Sequence, residues 1–354
     1  MANGLLEHPK QNQEWEDVGK RYLNELLSRC LIQKEEDFHL KFTFKMHDLV
    51  HDLALDVSQR ECKIMNSKTK TVDENVRHLF LCDEKLVEVP RVLEKLEKVQ
   101  TVIVQDSSLR SKIFDKSLIN LCVSNFKYLR ALELRDSLLT ALPNSVGNLK
   151  HLRELDLARS EDIRELPRSF YKLYCLQSLN LGATSLKQLP DSVLRLIELR
   201  HLVITIEAKH LKEIRAGCWT SLQYLELYNC FELECLPEGM PYLKSLGTLF
   251  VSYCHGLVSL PRSLKFLTKL EHLEIVRCLR INMKMELEEE EDKDLQLRLK
   301  TFSLFGLHDL RDLPRLLLQG SSSTLQQLRI RGCPNLSVLP AWLPNLTSLQ
   351  KLEI

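Results

Sequence analysis

Several groups of residues in this sequence have the types and spacing that chemistry needs. His47-Asp48-Leu49-Val50-His51 sets two imidazoles at i and i+4, the spacing by which one helix face offers two nitrogens to zinc. A zinc hydrolase built this way needs a glutamate as base. Here the shorter Asp48 stands in that place and no third ligand is apparent, so metal hydrolysis is not expected. Taken alone, a His-Asp pair between a strand and a helix reads as a cap with a partly buried imidazole. The eleven cysteines are an odd number in a long chain, and Cys230, Cys254, Cys278 and Cys333 recur at about the period of a repeat. They read as buried thiols of a reducing compartment, not as a disulfide framework or a zinc cluster. Phosphate chemistry needs a glycine-rich loop such as G-x-x-x-x-G-K-[ST], and neither that loop nor a dinucleotide glycine fingerprint occurs. The chain is therefore expected to hold no cofactor of its own. With no nucleophile, base and orienting group in one loop, it is not expected to be an enzyme.

Composition excludes further classes. The 354 residues carry 49 Lys+Arg against 48 Asp+Glu, a net charge of +1, so no nucleic-acid-binding surface is implied. No window reaches the roughly 18 apolar residues of a membrane span, and residues 1–13 lack the pattern of a leader. The sequons at Asn335 and Asn345 matter only in a secreted chain. A soluble protein of the cytoplasm, with the nucleus as a second compartment, is the expectation.

The elements that position these residues follow from hydrophobic period. Val18, Tyr22 and Leu26, with Leu23 and Leu27 beside them, form one face of a helix over residues 15–30. Phe38, Leu40, Phe42, Phe44 and Met46 then alternate with polar residues as a half-buried strand, paired with Leu31–Gln33. Leu49, Val50, Leu53, Ala54 and Val57 return to the helical period, with His47 or Asp48 at the first turn. Helix, two-stranded wing, helix is the end of a winged-helix module, whose opening helices would lie before Met1. Its expected extent is 1–60, followed by a linker at 61–72.

Beyond that linker a Leu-x-x-Leu-x-Leu unit recurs. Weak versions start at Val76 and Val99, and regular ones at Leu129, Leu152, Leu176, Leu199, Leu222, Leu246, Leu270, Leu299, Leu325 and Leu349, mostly 23 or 24 residues apart. That spacing is a leucine-rich repeat, and 73–354 is expected to form an α/β solenoid, a horseshoe with a parallel sheet on its concave face. Leu-Pro pairs such as Leu142-Pro143 and Leu260-Pro261 turn each coil toward the convex side. Eight residues after the first leucine, Ser137, Ser160, Thr184 and the four periodic cysteines are expected to meet backbone groups at the inner corner. Glu286–Asp294 lengthens one unit and reads as a solvated acidic loop. The last unit stops inside its strand motif at Lys351-Leu352-Glu353-Ile354, which suggests a truncated product.

Between the inward leucines lie the side chains of the concave face. His201, Tyr224, Tyr228, Phe250 and His272 put aromatic rings on neighbouring strands, and Arg329 and Arg331 make the last units more basic. Rings aligned across strands are a protein-recognition signal.

The strings Glu16-Asp17-Val18-Gly19, Tyr22 to Arg29 and Lys45-Met46-His47-Asp48-Leu49-Val50-His51-Asp52-Leu53-Ala54 resemble the winged-helix end of plant nucleotide-binding leucine-rich-repeat (NLR) immune receptors of the coiled-coil class. With the repeats, the resemblance covers nearly the whole chain. It implies that Met46, His47 and Asp48 are a nucleotide-sensing motif whose histidine approaches the phosphates of bound ADP. Without a phosphate loop here, ADP or ATP is expected only in a full-length receptor. The implied partners are a pathogen effector or guarded host protein, and the nucleotide-binding domain of the same receptor. The alternative reading is a stand-alone scaffold or decoy that binds proteins without a nucleotide switch.

Overall fold

The computed structural model describes the chain except residues 1–3, 12, 36–42, 67, 83–90, 105–115, 212, 238 and 288–294. It begins with helix α1 (Trp15–Ser28), a hairpin of β1 (Ile32–Glu35) and β2 (Thr43–Met46), and helix α2 (Asp48–Ser58). The hairpin is antiparallel, with Ile32 opposite Met46 and Glu35 opposite Thr43. Phe38, Leu40 and Phe42 of the expected strand lie outside the described residues. Within α1 only Val18 is buried. The apolar face of α2 forms but stays open to solvent, with Leu49 at 75% and Val57 at 78% exposure.

Thirteen parallel strands follow among the described residues, in sequence order: β3 (Cys62–Met65), β4 (His78–Leu81), β5 (Thr101–Val104), β6 (Ala131–Leu134), β7 (Glu154–Asp156), β8 (Ser178–Leu181), β9 (His201–Ile204), β10 (Tyr224–Tyr228), β11 (Thr248–Ser252), β12 (His272–Val276), β13 (Thr301–Phe305), β14 (Gln327–Arg331) and β15 (Lys351–Glu353). The sheet thus starts inside 61–72, the segment whose sequence reads as a linker. Strand β3 turns only Met65 fully inward, so it carries none of the leucine signature that marks the later strands. In-register pairing stacks Leu202, Leu225, Leu249, Leu273, Phe302 and Leu328 in one row. All six are at most 1% exposed, and burying each such side chain is worth about 1.5–3 kcal/mol. The acidic run Glu288–Asp292 lies outside the described residues.

Five coils turn at a proline. Pro143, Pro167, Pro190, Pro261 and Pro314 stand at the N-cap of single-turn helices on the convex side, where the missing N–H costs nothing. The inner corner is satisfied by small side chains. Thr184 Oγ1 donates to the Leu181 carbonyl at 2.8 Å and Ser160 Oγ to that of Leu134 at 3.3 Å. Later coils use sulfur instead, with Cys230 Sγ 3.7 Å from the Ile204 carbonyl and Cys254 Sγ 3.6 Å from that of Leu227. All eleven cysteines are free thiols.

Candidate functional site: a cleft between the first helix and the concave sheet

The residues that immediately precede β7 to β12 line a rim at the starts of those strands. At β9 that residue is Arg200, whose carbonyl accepts the N–H groups of Gln223 at 2.8 Å and Tyr224 at 2.9 Å. Strand pairing therefore fixes its backbone. Its guanidinium reaches across to the start of α1, donating from Nε to Glu16 Oε1 at 2.9 Å and from Nη2 to Glu16 Oε2 at 2.6 Å and Glu14 Oε2 at 2.9 Å. The side chain of Arg200 is 12% exposed, against 51% for Glu14 and 32% for Glu16. Burial alone would pull the guanidinium down, but the hydrogen bonds to Glu16 and Glu14 outweigh it and hold it above its ordinary value.

This contact lines a cleft of about 700 Å³ between α1 and the starts of strands β7 to β12. His201, Tyr224 and His272 all line it, so the structure brings together three of the residues that the sequence marks for recognition. The rings of His201 and Tyr224 stack with centroids 4.2 Å apart and planes 4° apart. The Tyr224 hydroxyl donates to Glu226 Oε2 at 2.8 Å, and burial, then the charge of Glu226, pushes its ionisation far above the ordinary phenol range.

The remaining marked residues lie elsewhere. Phe250 is only 7% exposed, since neighbouring strands crowd its ring on the concave side. Tyr228 packs edge-on to Tyr253, centroids 6.0 Å apart, at the opposite end of the strands. Arg331 Nη2 lies 3.0 Å from Glu353 and Arg329 Nε 3.7 Å from the same carboxylate, so the basic end is partly neutralised. Met46 is part-exposed at the end of β2, and neither it nor His47 nor Asp48 lines the cleft. His47 is the N-cap of α2, its Nδ1 accepting from the Leu49 N–H at 3.4 Å, while Asp48 is the first helical residue. Among the described residues no group of three or more His, Cys, Asp or Glu could hold a metal, and no helix is long and apolar enough to cross a membrane.

The sequence does not mark Arg200, Glu14 or Glu16 as site residues. Their separation of 184 to 186 positions leaves no local spacing to find.

His272 gives the cleft a pH dependence. Burial holds its imidazole below the ordinary 6.5, Glu271 opposes this, and Lys20 of α1 and Lys300 add to the lowering. The unfolded ring takes its proton at higher pH than the folded one, so this contribution is intact above about pH 6.5 and is lost as pH falls from there. Between pH 7.5 and 5.5 the native chain is expected to lose more stability, read from denaturant midpoints, than His272→Gln. Equal losses would show that the ring is not held neutral.

In class, this is a solenoid of leucine-rich repeats carrying a short helical module that closes over part of its concave side. Residues 108–354 match the family profile described as a leucine-rich repeat region, and the chain belongs to that family. Residues 1–54 match the disease resistance protein winged helix domain. Among curated relatives, disease resistance RPP13-like protein 4 of Arabidopsis thaliana is 27% identical over 246 residues, 66% of this chain and 24% of that protein. RPP13-like protein 1 of the same plant is 31% identical over 186 residues, 51% of this chain and 17% of its own length. Disease resistance protein RGA1 of Solanum bulbocastanum is 34% identical over 164 residues, 46% and 14% respectively. The chain spans about a quarter or less of these relatives. Among solved structures, Toll in its Drosophila complex with Spatzle superposes with a TM-score of 0.55 at 16% identity, over 95% of this chain and 49% of that one. An internalin of Listeria monocytogenes does so at 0.53 and 15%, over 84% and 88%. At such identities the likeness concerns the repeat fold alone.

Proposed function

We propose that this chain is the recognition and control portion of a plant intracellular immune receptor. Its concave face binds a pathogen effector or a guarded host protein, and its winged-helix end passes that event to the nucleotide-binding domain of the same receptor. The observation that carries this reading is the Arg200 contact with Glu14 and Glu16, which makes α1 a wall of the cleft that holds His201, Tyr224 and His272. An occupant of the cleft and α1 then compete for the same surfaces, which is the differential contact that coupling between two sites requires.

His47 Nδ1 is engaged with the Leu49 N–H, and no phosphate loop accompanies it. ADP or ATP therefore belongs to the nucleotide-binding domain, with Met46, His47 and Asp48 presented to it. His47→Ala is expected to raise signalling without pathogen in a receptor that includes that domain, scored as cell death in leaf tissue. In this chain alone it should remove only a helix cap, worth about 0.5–1 kcal/mol. A silent receptor variant would count against the switch.

Recognition itself is tested by alanine at Tyr224 together with Tyr228. Partner affinity is expected to fall about tenfold or more, as truncating buried aromatic anchors does, with far-UV circular dichroism unchanged. Undiminished binding would remove these rings from the contact surface. Phe250 is left intact because its burial would mix packing loss into the result.

A further inference from the structure

We infer that the rim around Arg200 is a receptor for paired carboxylates on a partner protein, and that Glu14 and Glu16 occupy it as an internal stand-in. This rests on the recognition reading above and names the chemistry of the partner. The argument begins with which side of the contact is built. The backbone of Arg200 is clamped by two strand hydrogen bonds and its side chain lies beneath the start of α1, whereas both glutamates stay well exposed. A planar guanidinium whose Nε and Nη2 both meet carboxylates, as here, is suited to two carboxylates and discriminates against a single neutral group.

Charge on the two walls points the same way. The solenoid wall of the cleft carries Arg153, Arg200, Lys269 and Arg298 against Glu154 and Glu271. Lys300 Nζ already takes Glu271, at 2.8 Å. The α1 wall carries Glu14, Glu16 and Asp17 against Lys20. The solenoid therefore presents net positive charge and meets net negative charge, which selects acidic partners and speeds their encounter. Beside Arg200, the stacked His201 and Tyr224 rings supply an aromatic floor, the usual companion of an arginine at an interface hot spot.

The stand-in is lightly held. Asp17 takes the Glu14 N–H at 3.0 Å, which fixes the start of α1, and Glu14 Oε2 accepts from Arg200 at 2.9 Å. Beyond this the helix buries only Val18. Both glutamate arms stay open to solvent, so an acidic segment supplied at high local concentration displaces α1 without unfolding the solenoid. The partner surface is thus a segment that presents two carboxylates two residues apart, as Glu14-Trp15-Glu16 does, next to an apolar side chain.

The test uses the full chain and two fluorescent peptides: residues 13–28 of this sequence, and an unrelated helical peptide that shares only the Glu-x-Glu start. Both are expected to bind Glu14→Gln/Glu16→Gln at least tenfold more tightly than the native chain, because the internal competitor is gone. Arg200→Ala in that background should cost tenfold or more, and Arg200→Lys part of that, which keeps the result readable should the alanine variant fold poorly. Hydrogen exchange in 15–28 of the native chain should quicken when the unrelated peptide is added. Equal affinity of native and glutamine variants would overturn the proposal, as would insensitivity to Arg200. So would binding by the 13–28 peptide alone, which would make the rim a private dock for α1. These readouts use the isolated chain, so a failure of receptor signalling leaves them intact, and their failure leaves the concave face free to bind by other chemistry.

Discussion

Replacing Trp219 with alanine is expected to destabilise the solenoid by about 3–5 kcal/mol, the range for emptying a large buried aromatic site. The side chain is 1% exposed and its indole N–H donates to the Val193 carbonyl at 2.8 Å, so the variant loses both packing and one of the hydrogen bonds to that carbonyl, which keeps the Leu196 N–H at 3.1 Å. Trp219 stands three residues before Leu222, where other coils place Leu149, Leu173, Leu196, Leu243 and Leu267. Its φ of 47° is in the left-handed region, a conformation that costs a residue with a side chain about 1–2 kcal/mol. The coil tolerates that strain because the indole fills the space. The urea midpoint, followed by circular dichroism, should drop by about 1–2 M. Trp219→Leu should lose less than half as much, since the neighbouring coils hold leucine at this place. A midpoint within 0.2 M of native for the alanine variant, a margin of roughly 0.5 kcal/mol, would mean that the site collapses onto the void.

The same repetition explains how much of the molecule can be read from its residues. A leucine at a fixed place in a 23- or 24-residue unit is buried by its own coil and the two beside it, so local spacing already contains the packing from β4 onward. Where that local rule weakens, reading fails. Cys62-Lys63-Ile64-Met65 places one side chain inward and is a strand because β4 pairs with it. Alternation assigns Phe250 to the concave side, but it says nothing of crowding. Strands only about 4.8 Å apart carry Glu226 and Glu274 on either side of that ring, and together they leave it 7% exposed.

The cleft shows the limit more sharply. His201, Tyr224 and His272 were legible as ring-bearing positions at the starts of β9, β10 and β12, because strand register follows from the repeat. Arg200 was not, since an arginine before a strand is ordinary at a polar rim and Arg130 and Arg153 hold the same place. What makes it special is the return of α1 from the far N-terminal side. That is a tertiary contact made by charge, without periodicity, between segments whose own patterns are complete without it.

Gly256→Ala is the second large expected effect, and it arises from the same close stacking of coils. A Cβ at this position would lie 2.7 Å from the Phe231 carbonyl oxygen, 3.0 Å from the carbonyl carbon of Glu232 and 3.0 Å from the Leu233 oxygen. All three belong to the backbone of the preceding coil, so no flexible side chain can move aside. Relief requires the two coils to part just where the Phe231 and His255 rings meet, with centroids 5.4 Å apart. The cost is expected to be about 1–3 kcal/mol, the range for overpacking a filled interior. Because each coil touches only its neighbours, the damage should be local. Amide exchange should accelerate in β10 and β11 while β5 and β6 keep their protection. Gly217→Ala is the control for glycine loss without contact, since its Cβ would meet nothing within 4 Å, although its φ of +87° adds backbone strain of its own. If Gly256→Ala left protection in β10 and β11 unchanged, the coils would have to be freer to separate than their shared hydrogen bonds and leucine rows imply.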